Sequence, residues 1–419
     1  MEKEYFISMF LDARRAKANN KYPVKLRIFT PNPRKQMLYS TKFEFSKNEF
    51  KSIWQTLKPR EEHKEDRNKM MAVEIEANKI AEKLTPFSFI RFEKLFLRNT
   101  GDGTNIIYQY NQTINKLKSN NRYGTASNYE LSLKSLLNFI SHLKGNLPIK
   151  LSFSEINPEW LNKYENYMVN DLKRSQSTVG IYLRPLRAIF NTAIAENEIA
   201  LEIYPFGKRK FQIPAGRNVK KAFHKSDLQK LFSFSTIKGS YQEKARDFWF
   251  FSYQCNGMNI RDISELKYKD IKGDRIVFNR NKTKNTTKKN IIPIVVPITK
   301  FVKKIIKKYG NKPEMKEKYI FPIFSDGINE MEKLRRNKNF TKFINQHIKK
   351  LAKAAGLTSD ISTYWARHSF TTTAIRNGAS LELIQESLGH QDKKTTMNYW
   401  GGFEDSVKRG ISEKLMDFN

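Results

Sequence analysis

The sequence contains almost no cysteine, since Cys255 is the single one among 419 residues. One thiol cannot form an internal disulfide and cannot supply the several ligands of a structural zinc site. The six histidines show no metal-ligand spacing either. The sequence therefore predicts no disulfide framework and no metal centre, and Cys255, within the apolar run FWFFSYQC, is expected in a core.

Long hydrophobic runs are also missing. No window approaches the roughly 18 consecutive apolar residues that a membrane-spanning helix requires. The first ten residues, MEKEYFISMF, mix acid and base and lack the basic segment and apolar run of a secretory signal. We therefore expect a soluble, cytoplasmic protein that does not associate with membranes.

Negative charge is scarce relative to positive charge. Lysine and arginine number 77 against 42 acidic residues, which gives a net charge of +35, and the excess recurs along nearly the whole chain. Such an excess indicates a polyanionic partner, and nucleic acid fits best. Charge alone does not separate DNA from RNA.

The length suits two or three domains, and the apolar patterns predict a mainly α-helical chain with small β-sheets, an α+β class. Residues 1–90 contain three segments with alternating apolar residues, YFISMFLD, VKLRIF and MLYSTKFEF, then helical segments after Ser46 and from about Arg67 to Leu84. These patterns predict a three-stranded antiparallel sheet packed with helix. The basic residues of this module would either grip DNA or form a solvated face: Arg14, Arg15, Lys17, Lys21, Lys25 and Arg27.

Residues 91–205 show only helical periodicity, as in YELSLKSLLNFISHL, and predict a bundle of four or five helices. Ser177 is the expected cap of the last long helix. Arg184 and Arg187 lie three residues apart on that helix, so they share one face and are candidate phosphate contacts.

Residues 206–224 contain glycine, proline and many basic residues without helical periodicity, which predicts an extended linker that runs along DNA. Residues 225–419 predict a larger, mostly helical domain. Within it, RIVFNRNKTKNTTKKNIIPIVVPI has two β-rich runs around a polar, basic tip, which predict a hairpin or a small sheet.

The strongest motifs lie near the C-terminus, in TYWARHSFTT and LGHQDKKTTMNYW. Arg367 and His368 form an arginine-histidine pair at the start of a predicted helix, a Leu-Gly-His turn follows about twenty residues later, and Tyr399 comes nine residues after His390. This order and spacing resembles the tyrosine recombinase family, the integrases. Upstream, GMNIRDISELKYKDI resembles the family's first catalytic box, and Lys282 matches the position of its catalytic lysine.

The resemblance extends, by architecture, to the rest of the chain. Residues 91–205 are similar to the family's SAM-like core-binding domain, and residues 1–90 to the arm-binding domains of integrases carried by mobile elements. The domain beyond the linker then corresponds to the catalytic domain, residues 225–419. The resemblance implies a site-specific recombinase whose partner is double-stranded DNA with core and arm sites.

The resemblance also implies roles for individual residues. Tyr399 would attack phosphorus and form a 3′-phosphotyrosyl link, which keeps the bond energy, so no cofactor or ATP is needed. Arg367 would place two N–H groups on the non-bridging oxygens, and His390 would donate to the same phosphate. Lys282 would protonate the leaving 5′-oxygen, with Lys284 as an open alternative. His368 and Lys284 are candidate DNA contacts.

Two residues depart from the family pattern. The family's first arginine directly follows the Gly-Met pair, where this chain has Asn259. Arg261 is a candidate DNA contact, but two residues further along a helix it points about 200° away, so Arg246 or another basic residue would have to fill the gap. Tyr364 stands where the family usually has histidine, and its hydroxyl can still donate to a phosphate.

These departures keep an alternative open, namely a catalytically weak or inactive DNA-binding regulator with the same fold, since losing a charge-stabilising donor costs about 100-fold to 1000-fold in rate. A metal-dependent transposase or nuclease lacks a carboxylate motif here, and a type IB topoisomerase fits the N-terminal module less well. The resemblance further implies a homotetramer on DNA, DNA-bending factors and a nucleoid-associated location. The segment after Tyr399 would pack either on a neighbouring subunit or on its own domain.

Overall fold

The computed structural model describes residues 4–14, 19–97, 102–216, 221–281, 292–390, 392–403 and 405–415. The chain divides into two compact units, Met1–Asn105 and Ile106–Asn419. The described residues are mainly helical and form two three-stranded sheets, which confirms the predicted α+β class. Within these ranges no helix combines the length and the apolar character needed to cross a membrane.

The first unit is built on an antiparallel sheet of strand order β1-β2-β3. The helix predicted after Ser46 begins there, with Ser46 and Glu49 forming a reciprocal capping box. The second helix begins six residues before the predicted Arg67, because its first turns are polar and carry no apolar period. The elements are β1 (Phe6–Leu11), β2 (Tyr22–Thr30), β3 (Lys35–Phe45), α1 (Lys47–Phe50), α2 (Glu61–Glu82) and α3 (Phe89–Phe96).

One face of this sheet is buried. Val24, Leu26 and Ile28 alternate along β2 and are fully buried together with residues of α2. The ring centroids of Phe92, on α3, and Tyr39 lie 5.3 Å apart. The expected boundary at residues 90 and 91 therefore falls inside a helix that belongs to the first unit.

The basic face predicted on this unit is partly neutralised. Asp12 is buried and forms ion pairs with Arg14 at 2.7 Å and with Lys25 at 2.8 Å. Arg27 donates to the hydroxyl of Ser8 at 3.2 Å. These cations already have protein partners, whereas Arg15 and Lys17 lie outside the described residues.

The second unit begins with a helical bundle around its own core. The cap of the last bundle helix is Ser175, whose hydroxyl accepts the Thr178 N–H, so the cap predicted at Ser177 was wrong by two residues. Ser177 instead lies against Gly216 of the following segment. The helices are α4 (Ile106–Ser119), α5 (Tyr123–Lys144), α6 (Pro158–Asn166) and α7 (Gln176–Ala195).

The segment predicted as a linker is packed at both ends. Phe206 and Phe211 are buried in the bundle core, and Phe223 is buried in the core of the next domain. Near its middle, Pro214 lies against α7, where a side chain at Gly180 would collide with the Pro214 carbonyl.

The last domain packs helices around α9 and adds the small sheet β4-β5-β6. Trp249 and Phe251 of α9 are fully buried, and Cys255 at its end is buried as expected, which raises the pKa of its thiol. Residues 282–291 of the predicted hairpin tip lie outside the described ranges. The elements are α8 (Lys225–Ser233), α9 (Tyr241–Gln254), α10 (Ile260–Glu265), β4 (Ile271–Lys272), β5 (Arg275–Phe278), β6 (Ile294–Pro297), α11 (Lys300–Tyr309), α12 (Glu330–Ala354), α13 (Thr363–Arg376), α14 (Leu381–Leu388), α15 (Lys393–Met397) and α16 (Asp405–Lys414).

Candidate active site

Three separate elements bring the motif residues together. Arg367 lies on the second turn of α13, His390 follows α14, and Tyr399 follows the short helix α15. Gly389 ends α14 with a positive φ of 61°, and the His390 N–H then bonds back to the Gln385 carbonyl at 3.0 Å. This turn redirects the chain so that the His390 ring meets the Arg367 guanidinium.

Arg367 is held by main-chain carbonyls. It is only 3% exposed, and its guanidinium donates to the Gly257 carbonyl at 3.0 Å and to the Leu388 carbonyl at 2.9 Å. Burial, and then the nearby charge of Arg280, lower the pKa of Arg367 to about 10. The group therefore remains a cation at neutral pH, in a fixed orientation.

Gly257 is the residue that lets α13 approach the loop before α10. Its φ is +65°, and a Cβ there would lie 2.7 Å from the Arg367 Cα. Only glycine fits both the backbone conformation and the space. The glycine of the Gly-Met pair thus has a direct role in positioning Arg367.

The hydrogen bonds of His390 define its tautomer. The Arg367 guanidinium can only donate, so at 3.0 Å the His390 Nε2 accepts from it. The proton therefore lies on Nδ1, which donates to the Thr396 hydroxyl at 3.0 Å. Thr396 is fully buried on α15 and was not predicted from the sequence. His390 can donate to a phosphate from Nε2 only when that nitrogen carries a proton. The Arg367 guanidinium must therefore first leave Nε2 and bind the substrate.

Tyr399 is buried beside both groups. Its ring stacks on His390 with centroids 5.2 Å apart, and the Arg367 Cζ lies 5.2 Å from its centroid. Its hydroxyl accepts a hydrogen bond from the Tyr364 hydroxyl at 2.7 Å. Tyr364 stands near enough to assist the predicted nucleophile, a contact that the sequence did not reveal. Burial, and then the bond to Tyr399, raise the pKa of Tyr364, which keeps it a donor.

His368 has a different place from the one expected. It is 3% exposed, and its Nδ1 donates to the Tyr399 carbonyl at 3.1 Å. The predicted DNA contact is therefore not supported, because the side chain is buried and occupied. His368 fixes the backbone that carries Tyr399.

The candidates near position 259 point elsewhere. The Asn259 amide bonds to the carboxylate of Asp262. Arg261 pairs with Glu330 at 3.1 Å and also with Glu265, so it is not a free DNA contact. Arg246 donates to the Phe234 carbonyl. None of these three residues therefore supplies the positive charge that the family pattern has at position 259.

Sequence reasoning overlooked a second buried arginine. Among the arginines that the structure describes, Arg280 at 8% and Arg367 at 3% are the buried ones. Arg280 lies two residues beyond β5, and its Cδ is 3.8 Å from the position of a Cβ on Gly389. The available signal was its spacing, two residues before Lys282.

The remaining predicted residues lie elsewhere or outside the described ranges. Lys282 and Lys284 belong to the undescribed segment 282–291. Arg184 and Arg187 are both exposed on α7. In the described parts of the chain, no three His, Cys, Asp or Glu side chains are grouped so as to hold a metal ion.

Comparisons with known proteins cover most of the second unit. Residues 221–403 match the phage integrase family, and residues 105–213 match the phage integrase SAM-like domain. Tyrosine recombinase XerD of Oceanobacillus iheyensis is 37% identical over 95 residues, which are 20% of this chain and 30% of that protein. The match thus spans less than a third of the length of this curated relative.

Two solved structures share the fold. The integrase of transposon Tn1549, in complex with transposon right end DNA, has a TM-score of 0.51 and 15% identity over 74% of this chain and 99% of that one. XerH site-specific recombinase, bound to a palindromic difH substrate, has a TM-score of 0.50 and 17% identity over 69% and 79%. With both of its matched domains and the recombinase fold, the chain belongs to the phage integrase family of tyrosine recombinases.

Proposed function

We propose that this chain is a site-specific DNA recombinase that cleaves and rejoins DNA through a 3′-phosphotyrosyl link to Tyr399. The observation that carries the proposal is the convergence of Tyr399, Arg367 and His390, from three elements, into one buried cluster. A nucleophile, a cation and an imidazole at contact distance are what phosphoryl transfer to a protein side chain requires.

The chemistry follows from these contacts. The Tyr399 oxygen forms a bond to phosphorus and releases its proton to solvent, while the bond from phosphorus to the 5′-oxygen breaks and that oxygen takes up a proton. The Tyr364 hydroxyl donates to the Tyr399 oxygen and stabilises its developing negative charge. Arg367 turns its N–H groups from main-chain carbonyls to the non-bridging oxygens, and we assign protonation of the 5′-oxygen to Lys282, with Lys284 as the alternative.

Rejoining is the reverse of cleavage. A second 5′-hydroxyl attacks the phosphotyrosyl phosphorus, the strand is sealed and Tyr399 leaves with its proton restored. Because the link conserves the energy of the phosphodiester, the exchange needs no nucleotide hydrolysis.

Double-stranded DNA is the proposed substrate. The net charge of +35 and the exposed pair Arg184 and Arg187 support it. We assign the sheet module to arm sites, the bundle α4–α7 to core sites and residues 225–419 to catalysis, in integration or excision of a mobile element. The relatives from transposon Tn1549 and XerH, both solved with DNA, support this substrate.

Assembly into a homotetramer on DNA, with bending factors, in the cytoplasmic nucleoid, is part of the same proposal. Phe403 and Val407 line a cavity of about 690 Å³ together with Phe250 and Phe301 of their own domain. Further along the tail, Ile411 is 56% exposed and Leu415, one helical turn later, is 70% exposed. An exposed apolar stripe suits contact with a second subunit, so the tail has features of both expected packing modes.

A catalytically weak regulator is the second candidate, and Asn259 in place of an arginine favours it. The test uses the full chain and a nicked suicide duplex that carries the element's junction, in EDTA. Wild type should form a protein-DNA band on a denaturing gel, and Tyr399→Phe should form none while binding the duplex equally well. Intact binding without a wild-type band would favour the regulator.

A further inference from the structure

Cleavage places additional negative charge on the scissile phosphate. Attack on a phosphodiester produces a pentacoordinate phosphorus whose non-bridging oxygens together carry one more negative charge than in the ground state. Arg367 supplies one cation to this site. The Asn259 amide is neutral and bonds to Asp262, so the site needs a further cation from another element.

Arg280 lies where such a cation is needed. The Arg280 stem passes beside Gly389, the residue just before His390, at 3.8 Å from the position of a Cβ there. The next residue is anchored on the opposite side, because the Asn281 N–H donates to Asp262 at 3.0 Å. Arg280 is therefore held between the Leu-Gly-His turn and α10, the two segments that border Arg367.

The charge of Arg280 acts on the residues of the site. Arg280 is close enough for its charge to affect the pKa of Arg367, Tyr364 and Asp262. Asp262 is buried on α10, and its charge acts on Arg367. A phosphate anion bound at this point would interact with both buried guanidinium groups, Arg280 and Arg367. The arrangement suits a phosphate.

We propose that Arg280 is a catalytic residue that contacts a non-bridging oxygen of the scissile phosphate beside Arg367, in place of the arginine absent at position 259. This inference rests on the proposed recombinase function. It assigns the role to a different element, the chain leaving β5, two residues before Lys282.

The first test compares Arg280→Gln with Arg275→Gln in the full chain, by the rate of covalent adduct formation on the nicked suicide duplex. Arg275 begins β5, the strand that leads to Arg280, is 62% exposed and pairs with Asp274, so it serves as the matched control. Arg280→Gln should lose on the order of 100-fold or more in rate, and Arg275→Gln should react as wild type. A rate for Arg280→Gln equal to wild type would overturn the proposal.

The second test separates charge stabilisation from structure. The same duplex carries a methylphosphonate at the scissile position, in which a methyl group replaces one non-bridging oxygen and removes its charge. If Arg280 serves that charge, Arg280→Gln should recover most of its lost rate on one of the two stereoisomers. An equal loss on phosphate and on both methylphosphonates would indicate a structural role and refute the assignment.

Further measurements distinguish a folding defect of Arg280→Gln from a loss of charge stabilisation. Circular dichroism and duplex binding report folding, and Arg280→Lys keeps the charge and most of the stem. Lysine lacks the two-pronged donor, so its methylphosphonate-to-phosphate rate ratio should exceed that of wild type, and an unchanged ratio would contradict the proposal. Absence of any wild-type adduct would instead refute the recombinase function itself.

Discussion

At the scale of residues, most donors of the site have protein partners before DNA arrives, whereas the buried Arg367 Nε has none. Arg367 donates to two carbonyls and to His390, and His390 donates to Thr396. This chain of bonds fixes the imidazole tautomer and the orientation of the guanidinium. When DNA binds, phosphate oxygens must replace these protein acceptors. The side chains are therefore already oriented, and their N–H groups can exchange one acceptor for another.

The Tyr364–Tyr399 bond gives a prediction for one atom. Tyr364→Phe removes the donor to the Tyr399 oxygen and keeps the ring, so folding should be unchanged. A hydrogen bond to a charged group contributes about 1.5 to 3 kcal/mol, so adduct formation should slow by roughly 10-fold to 100-fold. Tyr364→His restores a donor and should recover much of the rate, whereas Tyr241→Phe, a 65% exposed control, should have no effect. A wild-type rate for Tyr364→Phe would refute the role.

His368 gives a pH prediction. Burial lowers its pKa, so below about pH 6.5, the ordinary value, the unfolded chain binds a proton that the folded chain rejects. Its contribution to stability is therefore complete above that pH and is lost as pH falls through the folded pKa. The urea midpoint of wild type should drop more between pH 7 and pH 5 than that of His368→Asn. Parallel curves for the two proteins would contradict this.

At the scale of elements, the loop between α9 and α10 closes on α13 through Gly257. Gly257→Ala combines a strained positive φ with a backbone collision at Arg367. We expect a loss of about 1 to 3 kcal/mol in stability and a sharp loss of adduct formation. The measurements are thermal unfolding and the suicide-substrate rate.

Gly273→Ala is the matched control for that prediction. Gly273 has a φ of 61° between β4 and β5, with no atom within 4 Å of an added Cβ. It shares the backbone strain but not the collision, so it should lose some stability and keep its cleavage rate. Equal cleavage by both variants would show that Gly257 does not seat Arg367.

The patterns of individual elements explain which features of the fold and the site could be predicted from the sequence. Alternating apolar residues predicted the strands of the first unit, since one face of that sheet is buried. The resemblance to the tyrosine recombinases, carried by the order and spacing of the motifs, implied that Arg367, His390 and Tyr399 would share one site. Thr396 and Arg280 were not predicted, because their roles depend on which way a turn faces after folding. The cap at Ser175 was missed because Ser177 offers the same side chain two residues later.

At the scale of the whole molecule, the net charge of +35 predicts salt-sensitive binding. A protein that contacts about six to ten phosphates loses roughly 10³-fold to 10⁵-fold in affinity between 50 and 200 mM salt. Arg184→Gln should reduce the slope of log affinity against log salt by about one. Lys163→Gln, a cation already paired with Glu159 on α6, is the control. A salt-independent affinity would argue against phosphate contacts.

The most direct test of the central claim is to locate the DNA on the protein. The wild-type adduct from the suicide duplex is digested with nuclease and trypsin, and the nucleotide-bearing peptide is sequenced by mass spectrometry. Trypsin places Tyr399 in TTMNYWGGFEDSVK and Tyr364 in AAGLTSDISTYWAR, each as the sole tyrosine. We expect the nucleotide on Tyr399. A nucleotide on Tyr364, or on any other residue, would contradict the assignment of the nucleophile.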